Sequence, residues 1–228
     1  EIARAALGLG RRRLGPTRGV PGIVYRRIRG TSRALAAAYD TVLERLDDPA
    51  ATGRLTPRAV AVRAALNGLV GDHLVATRNP LALAMGLQRH GRALDLAPRA
   101  LAEALPDAGR HAVVLVHGLC MADLGWTREG HDHGAALERD LGCTATYLQY
   151  NTGLHISANG RALSDLLDGL VRAWPVPLDR LTLVAHSMGG LVARSACHYG
   201  EEDGHLWRRK LRKLIFLGTP HHGAPLER

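Results

Sequence analysis

The sequence is short of several things. Aromatic residues make up 4% of its 228 positions, and Phe216 is the single phenylalanine. Its core must therefore be aliphatic, built from the Leu, Val and Ala that dominate the 46% hydrophobic content. Lysine occurs only at 210 and 213. The three cysteines (Cys120, Cys143, Cys197) are scattered, odd in number and without C-x-x-C spacing. That excludes a disulfide framework or a thiolate metal cluster and marks them as reduced packing residues. No unbroken apolar run approaches the roughly 18 residues of a membrane span. No signal peptide with an apolar stretch is visible either. These absences give the expectation of a cytoplasmic protein. Acids are scarce at the start: residues 1–33 hold nine arginines against Glu1, which is +8 of the total +9, so the rest of the chain is nearly neutral. The chain opens on Glu rather than Met and closes on GAPLER, which reads as mid-loop, so both ends are expected to be cut.

What is present falls into three segments. Residues 1–22 are rich in Gly, Arg and Pro and read as a flexible arm. Residues 23–105 read as a helical extension. Ile28, Leu35, Tyr39, Val42 and Leu46 share one helical face. Thr56-Pro57 is an N-cap followed by proline at the first helical position, and Leu66, Leu69, Val70, His73 and Leu74 continue as a stripe. Asn79-Pro80 repeats that start signal and predicts a short helix to about Arg89. From 106 the pattern changes to short, two-sided apolar runs alternating with amphipathic helices. HAVVLVHG, CTATYLQYN, LDRLTLVAHS and KLIFLGTP read as strands; AALERDLG, residues 161–174 and MGGLVARSACHYG read as helices. Such alternation implies an α/β fold, a mostly parallel sheet with helices on both faces. Ligands of such sheets bind beyond the carboxyl ends of the strands. Those ends here are HGLC, YNTG, HSMGG and GTPHHG, where polar residues and glycines gather.

One of these ends carries chemistry. LTLVAHSMGGLV (181–192) places a serine on a sharp strand-to-helix turn between small residues, Ala185 and Gly189. That turn lifts a serine hydroxyl above the sheet, and the following helix aims free amides at the same place. The N–H of Met188 is one candidate oxyanion donor. HGL (117–119), directly after VVLV, offers the N–H of Leu119 as the other, with Gly118 letting the backbone turn.

With VLVHGL, LVAHSMGGLVAR and FLGTPHHG in this order, the chain resembles the α/β-hydrolase superfamily. Within it, the chain is similar to the lipase/esterase branch with its bacterial triacylglycerol lipases and GPI-inositol-deacylase-like proteins. The resemblance covers about 111–223. It implies an α/β-hydrolase-type sheet, cut on its C-terminal side, occupying 106–228. It implies carboxylic-ester hydrolysis through an acyl-enzyme on Ser187, with Leu119 and Met188 amides holding the oxyanion, an acyl-ester or lipid substrate, and no cofactor. The same turn also serves acyltransferases and thioesterases. In that superfamily the acid and the base follow the serine on later strands, so both are expected beyond Arg228. If the chain truly ends there, a non-catalytic binding module is the alternative.

Other polar residues have plainer readings. His117 braces the loop, and His186 points away from the serine or lines a wall. His221 and His222 follow the neighbouring strand, where a base could sit; the resemblance implies that they are loop-packing residues. His131-Asp132-His133 with Asp123 lacks a third ligand at regular spacing and reads as a solvated loop, so no metal site is assigned. Met121 and Trp126 read equally as acyl-pocket lining or as ordinary packing. The Arg-rich start fits peripheral contact with an anionic membrane, and no motif for specific nucleic-acid binding accompanies it.

Overall fold

The computed structural model describes residues 56–223. The arm at 1–22 and the helix expected over 23–46 lie outside the described residues. In chain order the elements are helix α1 (Pro57–Ala76), strands β1 (Gly86–Arg89) and β2 (Arg92–Ala93), helix α2 (Pro98–Ala104) and strand β3 (His111–Val116). A 3-10 turn (Asp123–Trp126) and the small ribbon β4 (Thr127–Arg128) and β5 (His131–Asp132) follow. Then come α3 (His133–Leu141), β6 (Thr144–Gln149), α4 (Ile156–Ala173), β7 (Arg180–His186), α5 (Met188–Glu202), α6 (Trp207–Lys210) and β8 (Leu211–Leu217).

The main sheet has the order β2-β1-β6-β3-β7-β8. β6, β3, β7 and β8 are parallel to one another, as alternation with helices requires. β3 lies at the centre, with Leu115 paired to both Tyr147 and Val184. Because its strands are covered on both sides, HAVVLV is apolar at nearly every position and buried from Ala112 to Val116. One face packs against α4, α5 and α6 through Leu163, Leu167, Leu170, Val192, Ala196 and Trp207. The other carries a smaller cluster of Val113, Leu115, Trp126, Cys143, Ala145 and Val184. Helix α3 closes with Gly142 at φ 58°, a left-handed position suited to glycine.

Two expectations are corrected before β3. The short helix from Asn79-Pro80 to Arg89 does not form. Asn79 Oδ1 accepts the N–H of Leu81 at 2.9 Å, a local turn that competes with a helix start. The chain then enters β1, which runs antiparallel to β6 and turns back into β2 through His90 and Gly91, both with positive φ. The second correction concerns α1. Thr56 caps it as expected, its side chain accepting from the N–H of Ala59 at 3.3 Å. The stripe is different: Leu69 and Val70 are exposed, while Ala59, Ala64, Asn67 and Gly71 are buried with Leu66 and Leu74. The helix bends at Val70 (φ −138°), so the faces before and after it do not share one register. By length and composition this 20-residue helix is apolar enough to cross a membrane, with 33% of its apolar window buried inside the protein. It is tied down by polar contacts. Asn67 donates to the Leu81 carbonyl and accepts from Leu83 N–H, both at 2.9 Å, and Asn151 donates to the Gly71 carbonyl at 2.9 Å.

Candidate active site

Ser187 sits between β7 and α5 with φ 52° and ψ −128°. A side chain with a Cβ resists that conformation, at a cost of about 1–3 kcal/mol, so its surroundings must hold it. They do so through the backbone: Ser187 N–H donates to the Leu217 carbonyl on β8 at 2.8 Å, and Gly190 N–H donates to the Ser187 carbonyl at 3.0 Å. The flanking glycines are required by proximity. A Cβ on Gly189 would lie 2.4 Å from the His117 carbonyl oxygen and 2.7 Å from that of Val116. A Cβ on Gly190 would meet Thr219 Oγ1 at 2.0 Å. Ala185 is fully buried. Helix α5 thus starts almost in contact with the end of β3, and Ser187 is half-buried rather than enclosed.

The loop after β3 meets the same point. A Cβ on Gly118 would lie 3.0 Å from Ser187 Cβ and 3.2 Å from His186 Nδ1, so glycine is needed for the approach itself. The left-handed residue of this loop is Cys120 (φ 58°), not Gly118 as a glycine-permitted turn would suggest. Met121 N–H reaches the Gly118 carbonyl at 3.3 Å, closing the turn over Leu119, whose side chain is exposed. Met188 is half-buried as the first residue of α5. Gly118, just before Leu119, and Met188, just after Ser187, are therefore both neighbours of the serine.

The histidines separate by environment. His117 is buried, with Nδ1 against the Gly118 carbonyl at 3.0 Å and its ring stacked on Tyr150 at 4.6 Å. Burial pulls its pKa down to about 4, so it is neutral and its Nδ1 carries the donated hydrogen. His186 is half-buried and edge-on to Trp126 at 6.5 Å, with Nδ1 unpartnered. His221 is exposed, paired with Arg194 at 2.9 Å and packed on Phe216. His222 is exposed. Among the described residues, no side chain hydrogen-bonds the Ser187 hydroxyl. Trp126 is buried in the sheet core beside Val113 and Val184, which makes it packing rather than pocket lining; Met121 is half-buried with its methyl against Gly125.

The His-Asp-His stretch is occupied structurally. Asp132 caps α3 through the N–H of Ala135 at 2.9 Å and accepts the Tyr147 hydroxyl, while His131 and His133 pack edge to face. The described group of side chains close enough to share a metal ion is elsewhere: Asp165, Asp203 and His205 bring ligand atoms within 4.8 Å. It lies at the far end of α5 from Ser187. A cavity of about 960 Å³, lined by Arg110, Val113, Leu137, Val184 and Ile215 among others, is likewise lined by none of the residues around Ser187.

Tyr150, Asn151 and Thr152 are the neighbours that motif reading did not single out. The Tyr150 hydroxyl donates to the His117 carbonyl at 2.8 Å, and Cys120 N–H donates to Thr152 Oγ1 at 3.1 Å. Their signal is positional: they occupy the carboxyl end of β6, next to β3.

A strained serine on a strand–helix turn above a parallel sheet, beside the loop of the neighbouring strand, defines an α/β-hydrolase-type protein. The chain belongs to the family of the PGAP1-like alpha/beta domain, whose profile matches residues 107–228. Among solved structures, it is similar to the Bacillus licheniformis lipase BlEst2. In the propeptide form the identity is 27%, over 53% of this chain and 24% of that one, with a TM-score of 0.42. In the mature form the identity is 24%, over 50% and 43%, with a TM-score of 0.41. The chain thus spans less than half the length of either lipase chain. No curated protein matches it.

Proposed function

We propose that the domain is the nucleophile-bearing part of a serine hydrolase that cleaves carboxylic esters, with lipid or other acyl esters as substrates. The observation that carries this reading is the backbone of Ser187, φ 52° and ψ −128°, kept against its steric preference and packed 3.0 Å from the Cβ position of Gly118. Strain of this kind persists where a function needs the exposed geometry. In the reaction, Ser187 Oγ attacks the ester carbonyl carbon and its proton passes to a base. The N–H groups of Leu119 and Met188 stabilise the oxyanion. The alcohol leaves with a proton, and water then releases the acid from the acyl-serine. As the resemblance implies, the general base and its orienting acid belong to later strands, beyond Arg228. No cofactor takes part.

In the full natural protein, Ser187→Ala is expected to abolish turnover of a p-nitrophenyl ester, and a fluorophosphonate is expected to label Ser187. Undiminished turnover, or label on another residue, overturns the assignment. Product analysis with an added alcohol separates hydrolase from acyltransferase, and a thioester substrate tests the thioesterase reading. The second reading, a binding module without catalysis, predicts neither labelling nor turnover. The arginine-rich residues 1–33 are proposed to contact anionic membrane. Vesicles containing phosphatidylserine should sediment the chain only when those residues are present.

A further inference from the structure

The loop that faces Ser187 is not held by its own sequence. Within the turn from Gly118 to Met121, Cys120 is the third residue and has φ 58°. A type II turn needs positive φ there, and glycine or asparagine normally supplies it. Cysteine resists the conformation, so an outside contact must impose it. Besides the thiol against the Ala65 carbonyl at 3.9 Å, that contact is a hydrogen bond from Cys120 N–H to Thr152 Oγ1, 3.1 Å long, with Thr152 3% exposed. The neighbouring bond from the Tyr150 hydroxyl to the His117 carbonyl fixes where the loop begins. Both donor and acceptor come from the end of β6, whose register with β3 is set by the parallel ladder.

We propose that Thr152 is the positioning residue of the oxyanion loop. The proposal rests on reading Ser187 as nucleophile and the Leu119 N–H as an oxyanion donor. A peptide unit is planar and rigid, so binding the Cys120 N–H also fixes the Leu119 carbonyl on the opposite side. It thereby fixes ψ of Leu119 and φ of Cys120. The turn that brings Gly118 and Leu119 past Ser187 is thus tied to the end of β6. Without the hydroxyl, the Leu119–Cys120 peptide is free to rotate toward a type I turn, in which Cys120 has negative φ and the carbonyl changes sides. The strain is released, and the turn that carries Gly118 and Leu119 past Ser187 loses its tie to the end of β6, so the donor is held less firmly. An oxyanion donor acts only if it is in place before charge develops, so the loss falls on the chemical step.

The test uses p-nitrophenyl ester turnover by the full natural protein. Thr152→Val, which matches the shape but removes the acceptor, is expected to lower kcat about tenfold to a hundredfold, less than deletion of a whole donor, with KM within about twofold. Thr152→Ser is expected to keep most of the rate. Adding Cys120→Gly to Thr152→Val is expected to recover part of it, because glycine takes positive φ without a tether. If Thr152→Val does not fold, Thr152→Ala gives the same comparison with Thr152→Ser. Wild-type kcat in Thr152→Val, a rise in KM alone, or equal losses in the Val and Ser variants overturns the proposal, provided that Ser187→Ala is inactive. Turnover by Ser187→Ala defeats the nucleophile reading instead.

Discussion

The two faces of the sheet are built from the same strands and are covered very differently. Toward α4, α5 and α6, the residues Ala112, Val114, Val116, Leu181, Leu183 and Ala185 join a cluster of 21 buried residues. Toward α3 and the 3-10 turn, alternate residues of the same strands, Val113, Leu115 and Val184, join a cluster of six. Among the described residues β8 is exposed on both faces, Ile215 at 40% on the second and Phe216 at 37% on the first, where Leu214 is packed. Apolar content along a strand says that both faces can be buried. How much of each is buried depends on the helices that arrive, and among the described residues one face has a continuous helical layer. The site follows this asymmetry. Helix α5, which begins at the Ser187 turn, belongs to the thick layer, and its packing through Val192, Ala193 and Ala196 holds its start against β3 and β7.

The largest test sets one tryptophan from each face against the other. Trp207 is fully buried and donates to Ser164 Oγ at 3.1 Å. Trp207→Ala should cost about 4 kcal/mol in urea unfolding. Trp126 is also buried, but it belongs to the thin cluster and its Nε1 has no partner, so Trp126→Ala should cost about 2 kcal/mol. Equal costs would break the comparison.

A nearly equal effect should come from pH. His117 titrates near 6.5 in the unfolded chain and, through burial, near 4 in the folded one. The unfolded state therefore binds more protons between these values, and stability is whole above pH 6.5 and lost as pH falls toward 4. The full loss is about 3 kcal/mol. Thermal melts of the wild-type chain and His117→Asn from pH 7.5 to 4 should show the steeper decline in the wild type. Parallel curves would mean that His117 is not the group responsible.

Much of this molecule is legible in its sequence, and the gaps have identifiable causes. β3, β6, β7, β8 and the helices between them follow from apolar runs, helical spacing and stops such as Pro175 and Gly142. The serine turn follows from Ala185, Ser187 and Gly189, since only small neighbours permit the approach to the His117 carbonyl. The hairpin at β1 and β2 was hidden because Asn79-Pro80 imitates a helix start. The contrary signal was His90-Gly91, a pair able to take the two positive φ values of a tight hairpin turn. The true contact face of α1 was hidden because beside Leu66 and Leu74 it packs through small residues and Asn67 rather than through Leu69 and Val70. A Cβ on Gly68 would be 2.3 Å from Cys120 Sγ, and the Asn67 carbonyl oxygen lies 2.2 Å from the Cβ position of Gly153. Tyr150 and Thr152 read as ordinary strand-end residues because their role is to hydrogen-bond another strand's loop, which no local spacing records.

Smaller effects sharpen the contrast on the thin face. Gly142 ends α3 at φ 58° with open space where a Cβ would go. Gly142→Ala should therefore cost only the conformational penalty, about 1 kcal/mol by urea unfolding, since nothing there must move aside. A cost of about 3 kcal/mol would reveal packing around the end of α3 beyond what the geometry shows.

The smallest effect is expected at Ile215, and it is the most direct test of whether that face is open. Ile215→Thr keeps the β-branch that suits a strand and removes little buried surface from a side chain already 40% exposed. Unfolding free energy should change by less than about 0.5 kcal/mol. A loss of about 2 kcal/mol would require Ile215 to be buried in solution, by a second copy or by residues outside 56–223. Sedimentation of wild type and variant at several concentrations separates the two, because only a second copy makes the loss depend on protein concentration.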